Sequence, residues 1–103
     1  MGSLNTVSTA PRHDEPPQAT EALVRQHTRD ITEAARAHQV SNLRVAATGE
    51  LVGHLPDDAD TIDVATFELA VSELIGGAEV FLVSDTVLHR DGIDPQLRAA
   101  RPL

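Results

Sequence analysis

Apolar side chains recur every three or four residues between positions 23 and 38, which is the spacing of one face of an α-helix. The members of this stripe are Leu23, His27, Ile31, Ala34, Ala35 and His38. Thr20 has the side chain of a helix N-cap, and Glu21 follows it where the helix dipole favours negative charge. The pattern predicts a helix that begins after Thr20 and ends near Gln39.

Three short apolar runs further along the chain predict β-strands, over residues 43–47, 61–65 and 79–84. Residues 48–60 contain two glycines and a proline, which predicts a loop between the first two strands. A second helix is expected between the last two strands, with Thr66 as its cap. Gly76 and Gly77 should end it, because glycine accepts the left-handed conformation. Asp94 and Pro95 open a short helical turn near the C-terminus.

This order of elements predicts an α/β domain with a small three-stranded sheet and helices packed on one face. The second helix is too short to determine the direction of the following strand, so parallel and antiparallel returns both remain open. Residues 1–19 alternate prolines with charged side chains and are predicted to be a disordered tail. The folded domain is therefore expected to span residues 20–103, with Phe67 and Phe81 in its core.

The composition narrows the classes of function. The chain contains no cysteine, which excludes disulfides and Cys-ligated zinc. Its net charge is −8, and all eight basic residues are arginine. An acidic surface disfavours direct contact with nucleic acid phosphates and favours a basic protein partner. No apolar run approaches the ~20 residues that span a bilayer, and the N-terminus lacks the features of a signal peptide, so the protein is expected to be cytoplasmic, without membrane contact.

Several individual side chains invite a functional interpretation. His27 and His38 share the predicted helix face, but partial burial beside the apolar stripe explains them more simply than metal binding. Arg44 is expected to pair with an Asp on the surface rather than to bind phosphate.

Four fragments of the chain, residues 44–48, 56–64, 80–83 and 88–103, resemble the minimal nucleotidyltransferase family, the small relatives of DNA polymerase β. The resemblance covers roughly residues 30 to 103 and implies a nucleotidyltransferase-like fold. In that family a Gly-Ser turn follows the first strand and approaches the nucleotide's triphosphate. Two carboxylates on the second strand and one on the third hold Mg²⁺ against the phosphates.

This chain departs from the family pattern at each of those points. Ala47 and Thr48 stand at the Gly-Ser turn, and Phe81 stands where the third carboxylate belongs. Asp60 and Asp63 lie three residues apart, whereas the family's paired carboxylates lie two apart. Asp58 and Asp60 have the two-residue spacing, but aligning them with the family pair loses the match of residues 62–64. The resemblance therefore implies a vestigial nucleotide site, without catalytic residues, bound metal or cofactor. Its members are Ala47, Thr48, Asp58, Asp60, Asp63 and Phe81.

The function that follows from the resemblance is that of a pseudoenzyme, a degenerate nucleotidyltransferase-like domain that acts by binding a protein. By family analogy it is the antitoxin-like half of a toxin–antitoxin pair and neutralises a HEPN-type ribonuclease, with no direct contact to nucleic acid. The alternative is an active enzyme that moves a nucleotide from an NTP onto a protein or RNA hydroxyl. Asp58, Asp60, Asp63 and Glu79 would then bind Mg²⁺, with Thr48 at the phosphates. A third option is a regulatory domain such as the anti-sigma-factor-antagonist fold, which residues 49–51 loosely resemble.

Overall fold

The computed structural model describes residues 17–103, which form a mixed four-stranded sheet with helices. In chain order the elements are α1 (Glu21–Gln26), α2 (Thr28–Ala37), β1 (Ser41–Val45), β2 (Leu51–His54), α3 (Thr61–Leu74), β3 (Leu82–Ser84), a 3₁₀-helix (Asp85–His89), α4 (Pro95–Arg98) and β4 (Arg101–Pro102). The strands lie in the order β3-β2-β1-β4. β1 is antiparallel to β2 and β4, whereas β2 and β3 are parallel. The predicted α/β class is confirmed, but the prediction of three strands is wrong.

The segment predicted as the second strand, residues 61–65, is the start of α3. Asp60 caps this helix, with Asp63 at the third helical position, so the observed cap lies six residues before the predicted cap, Thr66. The Thr66 hydroxyl instead donates a hydrogen bond to the Ile62 carbonyl oxygen, 2.8 Å away, inside the helix. A strand pattern only five residues long was not enough to exclude this helix, whose capping box satisfies two N-terminal backbone donors.

The missing strand, β2, lies inside the region predicted as a loop. Leu51 and Val52 are both buried there, and Gly53 lies between them and the exposed His54. A Cβ on Gly53 would lie 2.7 Å from Cγ1 of Val40, just past the end of α2. Gly53 therefore marks a close approach within a strand rather than a loop.

Helical elements cover both faces of the sheet, not one face as predicted. Alternate residues of a strand point to opposite faces, and Leu51 and Leu82 belong to one apolar cluster while Val52 and Val83 belong to another. The larger cluster also contains buried residues of α1, α2 and α3. The smaller one contains Leu97 of α4 and Leu88 of the 3₁₀-helix.

The predicted helix ends are confirmed in part. The Thr20 hydroxyl accepts a hydrogen bond from the Leu23 N–H at 3.2 Å, but the first helix is interrupted at His27 and continues as α2. At the end of α3, Gly77 has a φ of +91° and its N–H donates to the Ser72 carbonyl oxygen at 2.7 Å.

Among residues 17–103, no helix combines the length and apolar character that crossing a membrane requires.

The folded part of the chain begins earlier than the predicted boundary at residue 20. The Ala19 N–H donates to the Glu79 carbonyl oxygen at 2.8 Å, and the Glu79 N–H donates to that of Pro17 at 2.7 Å. Ala19 is buried against the core. The remainder of the predicted tail, residues 1–16, lies outside the described residues. Glu79 forms an isolated parallel bridge with Gln18 and is not part of β3. The strand β3 begins at Leu82, whereas the prediction placed its start at Glu79.

Candidate functional site

The residues predicted to form a vestigial nucleotide site lie at opposite ends of β2. Ala47 and Thr48 precede the strand, in the turn that leads from β1, whereas Asp58, Asp60 and Asp63 follow it. A four-residue strand is about 13 Å long at ~3.3 Å per residue. The structure therefore does not bring the Thr48 hydroxyl and the three carboxylates together around one ligand.

In the turn between β1 and β2, the hydroxyl of Thr48 points toward the carboxylate of Glu50. The Thr48 hydroxyl donates a hydrogen bond to Oε1 of Glu50 at 3.0 Å. Ala47 is exposed at the tip of the turn, and Gly49 is buried with a φ of +92°. A carboxylate next to the hydroxyl repels a phosphate, so this turn does not suit the triphosphate-binding role that the family resemblance implied.

Asp60 and Asp63 bind backbone donors at the start of α3. The Asp63 N–H donates to Oδ1 of Asp60 at 2.9 Å, and the Asp60 N–H donates to Oδ2 of Asp63 at 3.2 Å. The two side chains thereby satisfy backbone groups that have no partner within the helix. Both carboxylates serve the stability of α3, which accounts for their spacing of three residues.

Asp58 and Asp63 line a cavity of about 270 Å³ between the end of α2 and the start of α3. His38 lines the same cavity, and its ring packs edge-on against Phe67 with the ring centroids 5.8 Å apart. Within residues 17–103, no three or more His, Asp or Glu side chains form a group suited to hold a metal ion.

Replacing Asp60 with alanine is expected to lower the free energy of unfolding by about 1 kcal/mol, because the helix loses its N-cap. Asp58→Ala is the matched control, since Asp58 is exposed in the preceding loop and should change stability by less than about 0.5 kcal/mol. Urea denaturation of both variants measures the difference. Equal losses in the two variants would contradict the structural role assigned to Asp60.

The sequence predicted that Phe81 lies in the core, but the structure places it at the surface. Its side chain is 42% exposed, whereas Phe67 is 0% exposed and confirms the prediction for that residue. The Phe81 carbonyl oxygen accepts a hydrogen bond from the Leu51 N–H at 2.9 Å. Because side chains alternate along a strand, Phe81 points away from the face on which Leu82 joins the large core.

His27 and His38 are both partly buried, as predicted, whereas Arg44 occupies another environment than expected. Nδ1 of His27 lies 3.1 Å from the Leu23 carbonyl oxygen at the break between α1 and α2, so His27 and His38 do not share one continuous helix face. His54 and Asp85 form a contact of 3.2 Å that no sequence pattern indicated. Within the described part of the chain, Nε of Arg44 is buried without a hydrogen-bond partner, in place of the expected pair with an Asp.

The most exposed apolar side chains of α3 form a feature that the sequence interpretation missed. Ile62 is 72% exposed and Leu69 is 62% exposed, while Phe67 and Val71 on the opposite side of the same helix are 0% exposed. Seven residues separate Ile62 from Leu69, which corresponds to two helical turns. Their spacing was visible in the sequence, but the assignment of residues 61–65 to a strand concealed it.

The part of the chain around α3 is acidic throughout. Between Leu55 and Leu88 there is no arginine or lysine, although this segment holds half of the chain's 16 acidic residues. They are Asp57, Asp58, Asp60, Asp63, Glu68, Glu73, Glu79 and Asp85. By contrast, α1 and α2 carry Arg25, Arg29 and Arg36. The charges are thus distributed unevenly, with the negative side at α3.

Comparison with known proteins returned no matching family model, no matching curated protein and no matching solved structure. The resemblance to nucleotidyltransferases stays a prediction from the sequence. The arrangement of the described residues is what supports a function.

Proposed function

We propose that this chain is a non-catalytic protein-binding domain. The observation that carries the proposal is the exposure of Ile62 and Leu69 on a helix whose other side already supplies the core. Burial of apolar surface is the dominant favourable term in most protein association, and a fully buried Ile or Leu side chain contributes about 1.5–3 kcal/mol. A domain that acts by binding a partner accounts for these two side chains.

The arrangement of the candidate nucleotide site supports the same choice over the enzymatic alternative. Asp60 and Asp63 accept hydrogen bonds from the backbone at the start of α3, and the Thr48 hydroxyl donates a hydrogen bond to Glu50. Mg²⁺-dependent nucleotide transfer needs carboxylates and phosphate ligands that converge on one point. Here the two groups of residues lie at opposite ends of β2.

In its most specific form, the proposal is that the chain neutralises a HEPN-type ribonuclease toxin in an antitoxin-like manner, as the family resemblance implies. A protein that binds RNA presents a basic surface to the phosphates. The acidic region around α3 is complementary to such a surface, and covering it would block access of RNA.

Copurification tests the proposal. The tagged full-length chain is isolated from native lysate and analysed by size-exclusion chromatography, where we expect a stoichiometric complex that weakens at about 1 M salt because charge attraction is screened. The purified chain alone is titrated calorimetrically with Mg²⁺ and each NTP, and no micromolar binding is expected. Micromolar NTP binding that disappears in the Asp60→Ala and Asp63→Ala variants would establish the enzymatic alternative instead.

A further inference from the structure

We infer that the outer side of α3 is a docking site for an amphipathic helix with an apolar face and basic flanks, contributed by a partner protein. The inference rests on the proposed function and names its binding surface. That surface, called the outer stripe, consists of Ile62, Ala65 and Leu69, which are all exposed and recur at steps of three and four. Residues at these steps form one continuous line on a helix.

The outer stripe has the dimensions of a helix–helix contact. From Ile62 to Leu69 it rises about 10 Å along α3, at ~1.5 Å per residue. Ala65, with a small side chain, lies between the two larger apolar residues along the stripe. Partner helices commonly bind such a surface through apolar side chains spaced three, four and seven residues apart.

The charges around the stripe decide which occupant fits. Asp63 and Glu73 are exposed on α3 itself, and no basic residue occurs between Leu55 and Leu88. A second copy of this chain that docked through its own α3 would bring acidic side chains against acidic side chains, which is unfavourable. A helix with Lys or Arg beside its apolar residues meets opposite charge at Asp63 and Glu73.

The stripe does not include Phe81, which is an exposed aromatic residue. Phe81 lies on the opposite face of the sheet from the core to which α3 contributes. Phe81 therefore serves as a control position for exposed apolar surface that lies outside the stripe.

Two synthetic helical peptides of about four turns are suitable probes, one of Leu and Lys and one of Leu and Glu in the same pattern. Binding of each to the full-length chain is measured by fluorescence anisotropy. The Leu/Lys peptide is expected to bind more than about tenfold tighter than the Leu/Glu peptide. Equal affinities would overturn the assignment of a basic partner.

The double variant Ile62→Gln, Leu69→Gln tests the location without changing the net charge. It should bind the Leu/Lys peptide about 10–100-fold more weakly, whereas Phe81→Gln should stay within about twofold of the wild type. Ala65→Arg is an independent variant that should weaken the Leu/Lys peptide and strengthen the Leu/Glu peptide. Circular dichroism verifies that each variant is folded. Unchanged affinity in the double variant would show that attraction is only a general effect of negative charge, and the docking site would be wrong.

Two further outcomes assign the stripe to another occupant and would overturn the inference. One is a wild-type chain that sediments as a dimer while the double variant is monomeric, which identifies a second copy. The other is a roughly tenfold gain in Leu/Lys peptide affinity in the full-length Leu4→Gln, Val7→Gln variant, whose net charge is unchanged, which identifies the chain's own N-terminal segment.

The copurification experiment separates failure of this inference from failure of the proposed function. If the double variant still forms the native complex, the partner binds elsewhere and only the docking site is wrong. If the wild-type chain forms no complex in native lysate, the proposed function itself is contradicted. Loss of the complex in the double variant but not in Phe81→Gln is the expected result.

Discussion

Replacing Phe67 with alanine is expected to lower the free energy of unfolding by about 3–5 kcal/mol. Phe67 is 0% exposed, lies in the larger apolar cluster and contacts the His38 ring edge-on. The substitution leaves a cavity beneath α3, because the surrounding side chains relax only in part. A domain of this kind has a total stability of about 5–15 kcal/mol, so the loss is a large share of it.

Phe81→Ala is the matched control for this prediction, since the chain contains only these two phenylalanines. Phe81 is 42% exposed, and its replacement should cost about 1 kcal/mol or less. Urea denaturation with a shared slope gives both values. A loss in Phe81→Ala as large as that in Phe67→Ala would contradict the assignment of Phe81 to the surface.

Replacing Gly49 with alanine is expected to lower the free energy of unfolding by about 2–4 kcal/mol. A Cβ at this position would lie 2.1 Å from the Ala19 carbonyl oxygen, which is backbone and has little freedom to move. The φ angle of +92° adds a penalty for any residue with a side chain. The clash and the backbone strain act together, so either the turn between β1 and β2 or the segment at residues 17–19 must shift.

Gly76→Ala separates the two contributions. Gly76 has a similar φ of +83°, but a Cβ there would meet no atom within 4 Å. Its replacement should therefore cost only about 1 kcal/mol, from the backbone conformation alone. Hydrogen exchange of the Ala19 and Glu79 amides should accelerate in Gly49→Ala and not in Gly76→Ala, because the bonds that they donate, to the carbonyl oxygens of Glu79 and Pro17, lie beside the clash. Equal destabilisation in both variants would show that residues 17–19 do not pack against Gly49.

The elements marked by a periodic apolar stripe or by a clear helix cap were predictable from the sequence, and β2 was not. The stripe from Leu23 to His38 predicted α1 and α2, and Asp94 with Pro95 predicted α4. β2 is only four residues long and contains Gly53, which is also a loop signal. The close approach of Val40 that requires this glycine is a tertiary contact, and no local pattern contains it.

The start of α3 was misplaced because two residues of N-cap type, Asp60 and Thr66, lie six positions apart. The structure selects Asp60, since Asp63 completes the capping box and Val64 then packs against the core together with Phe67. An Asp three residues after another Asp was the signal that the sequence interpretation overlooked. Local pattern alone did not rank the two caps, because tertiary packing of the helix decides between them.

The sequence indicated which residues to consider for the candidate site, but it did not predict how far apart they lie in the structure. Whether Thr48 and Asp60 lie together depends on whether a strand separates them, and that strand was not predicted. The exposure of Leu69 likewise depends on which side of α3 faces the sheet. Charge was the reliable part, since the acidic segment from Leu55 to Leu88 is visible in the sequence alone.

Site-specific photo-crosslinking in the native cell tests most directly that the outer stripe of α3 binds a protein. A photoreactive phenylalanine analogue is placed at Leu69 in one full-length variant and at Thr32, which is exposed on α2, in another. Cross-linking of a partner from position 69 and not from position 32 is the predicted result. Cross-linking from position 32 alone, or equally from both positions, would contradict the account.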